Sequence, residues 1–495
     1  MWPCITPRLL GRLPINAISN YFLGVVREPL TVHTTDGTHL NVFMYRPSGI
    51  DLSKLGKIPC IVIVDICSNP IGWESVMFRY ATHGFAVLTY TGRRQKKLDD
   101  IFAKSAVNDL LSFHSYIQSQ FQWINPDAVF ILGKSYASGI VLRCLASDTN
   151  KYIGGMVLSP IPYVSSLVSS DENTIPVASH TAASMILSEM GVNSVASQQF
   201  ARASTPSDLR AQRLLLIDQD DRLTYTLSDI EAPLYVHVDI HDSVVNVHDM
   251  VQLFSKIREK QPLCCIRYAQ GDHNVAETQG YQTVDMYDDA MQWCRSILHN
   301  GSTQTYRTEV YSTTTQRTTF ASIDPTPNVD RGYKIVDSTK VILSTYIPTF
   351  LRLSSFDNII QQLSYPYIPI RPLLYLQRDI LWSRIFTRAL DAAGFPIVSL
   401  RVKTASPDSG FCLTLIEYDK HGYGKRLSYK YIMLKDTHVS SELITVRMSM
   451  IASRLQKDQE LVLVVSNYDN RFTYTGRTDA TVTFIDITLP YLFEY

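Results

Sequence analysis

Two short runs in which apolar and polar residues alternate, Leu30-Thr31-Val32-His33 and Leu40-Asn41-Val42-Phe43-Met44-Tyr45, flank Asp36-Gly37. A period of two on either side of an Asp-Gly pair predicts a β-hairpin over 29–46. Pro59–Val64 is apolar without interruption, as in a strand covered on both faces. A helical stretch near 73–82 leads past Gly84 to the strand Phe85–Tyr90. Ala103, Val107, Leu110, Leu111 and Ile117 then form an apolar stripe at helical spacing. Ala128–Leu132 predicts a buried strand, Ile140–Ala146 a helix packed on the sheet, and Met156–Leu158 the next strand. Strands alternating with helices predict a parallel sheet covered on both sides.

The rhythm breaks over 160–232, which is rich in Ser, Ala, Thr and Asp, with helix-like pieces near 181–202 and 206–217. An insertion between sheet strands reads as a helical lid, or as a surface excursion. The sheet pattern resumes at Pro233–Val238, with a helix near 246–259, a last core strand at Leu263–Tyr268 and a final stripe of Met286, Ala290, Trp293 and Ile297. Beyond about residue 300, short alternating runs replace helices: Lys340–Tyr346, Pro396–Lys403, Phe411–Glu417, Leu443–Met448, Glu460–Val465 and Ala480–Ile487. This spacing predicts a β-sandwich of jelly-roll type. The Thr- and Ser-rich residues 303–332 would lead into it. The domain reading is an N-terminal arm (1–28), an α/β body (29–159 and 233–300), a lid (160–232) and a sandwich (301–495).

The chain has 495 residues, ample for such a core, and 46 basic residues balance 46 acidic ones. No net field points to nucleic acid or an anionic surface. No apolar run reaches the length of a membrane span. The eight cysteines, at 4, 60, 67, 144, 264, 265, 294 and 412, are scattered, many in apolar runs, and no CxxC or Cys/His cluster has metal spacing. They read as core residues in a reducing, cytoplasmic setting. Arg8, Arg12 and Arg27 with no acidic residue before Glu28 leave a mitochondrial presequence as the alternative.

Candidate chemistry gathers at Gly133-Lys134-Ser135-Tyr136-Ala137, between a predicted strand and a predicted helix. G-x-S-x-G strings occur by chance, but strand, tight turn and helix supply the context that makes one a nucleophile elbow. The strained turn requires small residues two before and two after the serine, which Gly133 and Ala137 satisfy. Ser135 would stand above the sheet, with the Tyr136 amide at a helix N-terminus aimed at a developing oxyanion. A serine needs a base, and the base needs an acid to hold its tautomer. Asp242 and His273 lie just past two later strands, at the sheet edge where such sites form. Asp239 is the rival acid, closer to its strand, and Asp249 would lie inside the next helix. Among histidines, His241 and His248 suit a rim or helix cap, and His237 a buried core position. For His273 itself the alternative is a solvated loop residue.

With these residues in hand, the chain resembles the CocE/NonD hydrolases, a family that includes cocaine esterase, Xaa-Pro dipeptidyl-peptidases and α-amino-acid ester hydrolases. Thr31–Leu40 and Tyr45-Arg46-Pro47 resemble the family's opening motif, and Gly133-Lys134-Ser135-Tyr136 its G-x-S-Y elbow. Ala405–Asp419 and Ser453–Phe472 resemble segments of its sandwich. The resemblance covers nearly the whole chain. It implies an α/β-hydrolase fold with an inserted helical lid and a C-terminal jelly-roll β-sandwich. It also implies Ser135 as nucleophile, Asp242 as acid and His273 as base, acting on a small ester or peptide-like substrate without metal or organic cofactor. A homo-oligomer stays open. The chain departs from the family where Asp65-Ile66-Cys67-Ser68 replaces a Pro-Tyr pair whose hydroxyl serves the oxyanion hole, which would leave a backbone amide near Cys67 as second donor. It also departs at Tyr90–Arg94 and in lacking a tryptophan before His273. The alternative function is a catalytically weakened binding or assembly protein, to which the aromatic tail Tyr491–Tyr495 would contribute a contact.

Overall fold

The computed structural model describes residues 24–34, 36–48, 57–65, 73–91, 104–147, 151–163, 227, 230–240, 242, 244–245, 247–269, 273 and 286–300. It further describes 308–311, 317–320, 332–336, 340–343, 367–368, 379–404, 410–422, 424–433, 441–466 and 480–494. Of the arm read over 1–28, residues 1–23 lie outside these residues and Val25–Glu28 instead open the first sheet strand; most of the stretch read as a lid, including 164–226, also lies outside them.

The body is built on a ten-stranded sheet. Its strands are β1 (Val25–His33), β2 (His39–Pro47), β3 (Ile58–Asp65), β4 (Ala86–Thr91), β5 (Ile124–Lys134), β6 (Gly154–Leu158), β7 (Leu234–Asp239), β8 (Cys265–Ala269), β9 (Thr308–Tyr311) and β10 (Arg317–Phe320). They lie in the order β1-β2-β4-β3-β5-β6-β7-β8-β9-β10. β1 and β2 form the hairpin, whose turn is held by Thr34 Oγ1 donating to Asp36 Oδ1 and by Gly37 at φ 82°. From β4 through β9 each neighbouring pair is parallel.

Alternate residues of the central strands feed two separate cores. Cys60, Val62, Val64, Val129 and Ile131 face helices α2 (Lys104–Gln120), α3 (Tyr136–Ser147) and α4 (Val247–Lys260). Ile61, Ile63, Phe130 and Leu132 face α1 (Glu74–Thr82) and α5 (Met286–Asn300). This two-sided burial explains the unbroken apolar runs, each such side chain adding roughly 1.5–3 kcal/mol on leaving water.

The sheet does not end at the strand after residue 263. β9 continues it parallel to β8, and β10 closes the edge antiparallel to β9. Thr308–Tyr311 and Arg317–Phe320, within the stretch read as the way into the sandwich, therefore belong to the body's sheet. Four-residue strands such as Thr308–Tyr311 are too short for a burial pattern to distinguish them from loop.

Beyond the body two antiparallel sheets face one another. One has Glu442–Arg447, Ile397–Thr404, Ala480–Glu494, Leu390–Gly394 and Ile451–Leu455 in order, with Gly332–Val336 and Lys340–Leu343 also on the long strand. The other runs Tyr367–Ile368, Gly424–Met433, Gly410–Tyr418, Glu460–Ser466 and Asp379–Ile385. Leu400, Val482 and Phe484 from the first meet Leu381, Trp382, Leu413 and Leu463 from the second in one core. Trp382 and Phe484 stack across it with ring centroids 5.9 Å apart. The aromatic tail is not a loose end, since the long strand continues through it and pairs Tyr491 with Ala392 and Phe493 with Asp391. Phe395, Met450 and Ala452 belong to the body's larger core, so the sandwich and the body share apolar packing.

Candidate active site

β5 runs directly into α3 through a single residue, Ser135, whose φ of 54° lies in the left-handed region. A β-carbon on Gly133 would come within 2.6 Å of the Ala137 carbonyl oxygen, so the turn admits only glycine there. The strained residue is fixed from both sides. Its amide donates to the Leu158 carbonyl at 2.9 Å, and its own carbonyl accepts from the Ser138 amide at 3.1 Å and the Ile161 amide at 3.3 Å. The Ser138 hydroxyl bonds the same carbonyl and also accepts from the Ile161 amide. Arg143, fully buried on α3, donates to the Pro162 carbonyl at 2.8 Å and ties the helix to that same loop. Such over-determination is what sustains a strained backbone.

Three side chains from three separate segments form one hydrogen-bonded line. Ser135 Oγ lies 2.8 Å from His273 Nε2, and His273 Nδ1 lies 2.7 Å from Asp242 Oδ2. The imidazole and the carboxylate are 3 % and 5 % exposed. The other carboxylate oxygen, Asp242 Oδ1, accepts the amides of Val244 and Val245, each at 2.8 Å. Val244 and Val245 are themselves buried, so the acid loop is anchored by apolar contact and the acid is oriented by backbone.

Asp239, the alternative acid, ends β7 fully buried, with Oδ2 accepting from the Ser159 hydroxyl at 2.6 Å. Asp249 lies in the first turn of α4. His237 is buried on β7 with Nε2 3.4 Å from Asp239 Oδ1. His248, in the first turn of α4, reaches the sandwich, accepting from Arg447 Nη1 at 3.0 Å and meeting Phe395 edge-on. Tyr136 is the first residue of α3, so its amide sits at the positive end of the helix dipole. Cys67 and His241 lie outside the described residues. Among the described residues no group of three or more His, Cys, Asp and Glu side chains has metal-binding geometry, and no helix is long and apolar enough to cross a membrane.

Compared by sequence alone, the chain matches no family model and no curated protein. Solved structures are similar over almost its whole length. An α-amino acid ester hydrolase has a TM-score of 0.66 at 12 % identity, covering 99 % of this chain and 100 % of its own. An aminopeptidase from a marine sediment Thaumarchaeota archaeon has 0.65 at 11 %, covering 94 % and 97 %. A CocE/NonD family hydrolase from Staphylococcus aureus has 0.62 at 12 %, covering 94 % of each chain. The chain has the CocE/NonD hydrolase fold.

Within that hydrolase-like fold, sequence reasoning does not reach Ser138, Ser159, Arg143 or the Val244 and Val245 amides. Serines 138 and 159 sit in ordinary strand-end and helix contexts and carry no mark of their bonds. Arg143 sits in an apolar helical run where a buried cation is the exception, and that contrast is a signal of sorts.

Proposed function

We propose that the protein is a serine hydrolase that cleaves an ester or amide bond through an acyl-enzyme on Ser135. The observation that carries this reading is the continuous hydrogen-bonded line from Ser135 Oγ through His273 to Asp242. In this mechanism His273 Nε2 takes the hydroxyl proton as Ser135 attacks the carbonyl carbon, and Asp242 holds Nδ1–H and stabilises the imidazolium. The Tyr136 amide receives the oxyanion, together with an amide of the loop near Cys67. His273 then protonates the leaving alcohol or amine, and a water deprotonated by the same ring releases the acyl group. The similar folds of an ester hydrolase and an aminopeptidase support a small ester or peptide-like substrate. We assign 160–232 to a lid over this site and the two C-terminal sheets to a jelly roll beside it. Six buried free cysteines among the described residues suit a reducing, cytoplasmic setting.

A fluorophosphonate probe tests the proposal. Wild type is expected to form an adduct on Ser135, with none in Ser135→Ala, and the same substitution should lower turnover of an activated ester by about 10⁶. A folded wild-type protein that takes no probe overturns the proposal and leaves the binding or assembly reading in its place.

A further inference from the structure

The end of β7 carries two carboxylates three residues apart, and Asp242 alone bonds the imidazole directly. Asp239 is nonetheless part of the same corner. Its carbonyl accepts the Asp242 amide at 3.2 Å, its neighbour Ile240 donates to the Ala269 carbonyl at 2.9 Å, and it pairs in register with Ala269 at the end of the strand that leads to His273. Burying a carboxylate this completely is costly unless partners hold its charge. The Ser159 hydroxyl donates to Oδ2 at 2.6 Å, and His237 Nε2 stands 3.4 Å from Oδ1, which accepts no hydrogen bond among the described residues. Ser159 takes a φ of 43° to do so, and its amide donates to the His237 carbonyl at 2.9 Å. A strained non-glycine residue whose hydroxyl serves one buried carboxylate is a built feature.

We propose that Asp239 is a positioning residue for the reaction, a second buried carboxylate whose charge steadies the imidazolium that forms on His273. This rests on the reading of His273 as the base. Burial alone would raise the Asp239 carboxyl, but His237, Ser159 and the charge on His273 outweigh it, and the group is held below the ordinary carboxylate range. The coupling is reciprocal, so a charged His273 that favours ionised Asp239 is itself favoured by it. Within a water-poor corner such a charge acts through space without a direct bond. The groups facing Asp239 are His237 on its own strand, Ser159 past β6 and His273 past β8. Arg267, with Asp289, occupies the adjoining position on β8, opposite His237. His273 itself meets Ser135 and Asp242 by direct hydrogen bonds, and its charge acts on Asp239 through space.

The test is the titration of His273 itself, read by NMR in full-length protein with ¹⁵N-labelled histidine and assigned with His273→Gln. Asp239→Asn keeps the shape and removes the charge, and the His273 midpoint is expected to fall by about one pH unit. The acid limb of kcat/KM should move down with it, and kcat on the plateau should drop about tenfold. Ser159→Ala, which loosens the hold on the Asp239 charge, is expected to move the midpoint in the same direction by less. A midpoint unmoved in folded Asp239→Asn overturns the inference, and if that variant does not fold, an unmoved midpoint in Ser159→Ala does so. The titration needs no turnover. Wild type that fails to react with the fluorophosphonate therefore sinks the proposed activity separately.

Discussion

Lys425 extends its ammonium into the sandwich, where Nζ is buried without a hydrogen-bond partner among the described residues and Glu417 stands opposite in register. Burial pulls the amine down to about 8, against the opposing attraction of Glu417. Burial in turn raises the Glu417 carboxyl, with Lys425, Ser453 and Gln459 holding it back. An unfolded lysine keeps its proton to near 10.4, so between pH 8 and 10.4 the unfolded chain binds a proton that the folded one does not. Through that window this group makes stability rise with pH. The buried thiol of Cys264, pushed up to about 12, and the phenol of Tyr45, likewise about 12, work in the opposite sense, because their unfolded forms ionise first. The difference between two proteins isolates the lysine. Glu417→Gln/Lys425→Met should gain most over wild type below pH 8, and its advantage should shrink as pH rises to about 10.4, measured as urea midpoints. Residue chemistry of this kind is poorly legible in sequence. Asp239 and Asp242 lie three residues apart at one strand end, and what separates them is tertiary: Ser159 holds the first carboxylate, while the amides of Val244 and Val245 orient the second toward the ring. The elbow is legible because Gly133 and Ala137 are demanded by local sterics, which sequence records.

At the scale of elements, α5 is fastened to the sheet by Asp289, which accepts from the Tyr235 hydroxyl and from Arg267 Nε, both at 2.8 Å. The Arg267 side chain is only 5 % exposed, so losing the Asp289 carboxylate leaves a buried cation with less of its charge compensated. Asp289→Ala should therefore cost about 3 kcal/mol in urea denaturation. Its neighbour Asp288 pairs with Arg79 at 3.0 Å while half exposed, and Asp288→Ala should cost less than about 1 kcal/mol. Equal losses would mean that burial does not separate the two pairs. Elements with strong burial are the ones the sequence makes plain: β3, β5 and β7 are long apolar runs, and the helices carry stripes. Gly424–Met433 is a full strand, but its Lys, Arg, Ser and Tyr residues hide the alternation. β9 and β10 hide for want of length. The β1–β2 edge is legible because its alternation flanks an Asp-Gly turn, whereas the far edge at β9 and β10 offers neither length nor a turn pair.

For the whole molecule, the join between body and sandwich decides how it comes apart. Phe395, Met450 and Ala452 enter the body's core, and Arg447 and Phe395 clasp His248 on α4. We expect calorimetry to give a single thermal transition, and Phe395→Ala, at about 3 kcal/mol, to lower or split it. Two transitions in wild type would mean that the shared packing does not couple the parts. The sandwich carries a further liability in its long strand, Ala480–Glu494, which pairs with each of Gly332–Val336, Lys340–Leu343, Leu390–Gly394 and Ile397–Thr404. Gly332 is paired with Pro490, so completing that sheet waits on a segment far along the chain. Until it is seated, four strands present bare hydrogen-bonding edges at once, and those edges are where cross-chain pairing and misassembly would begin.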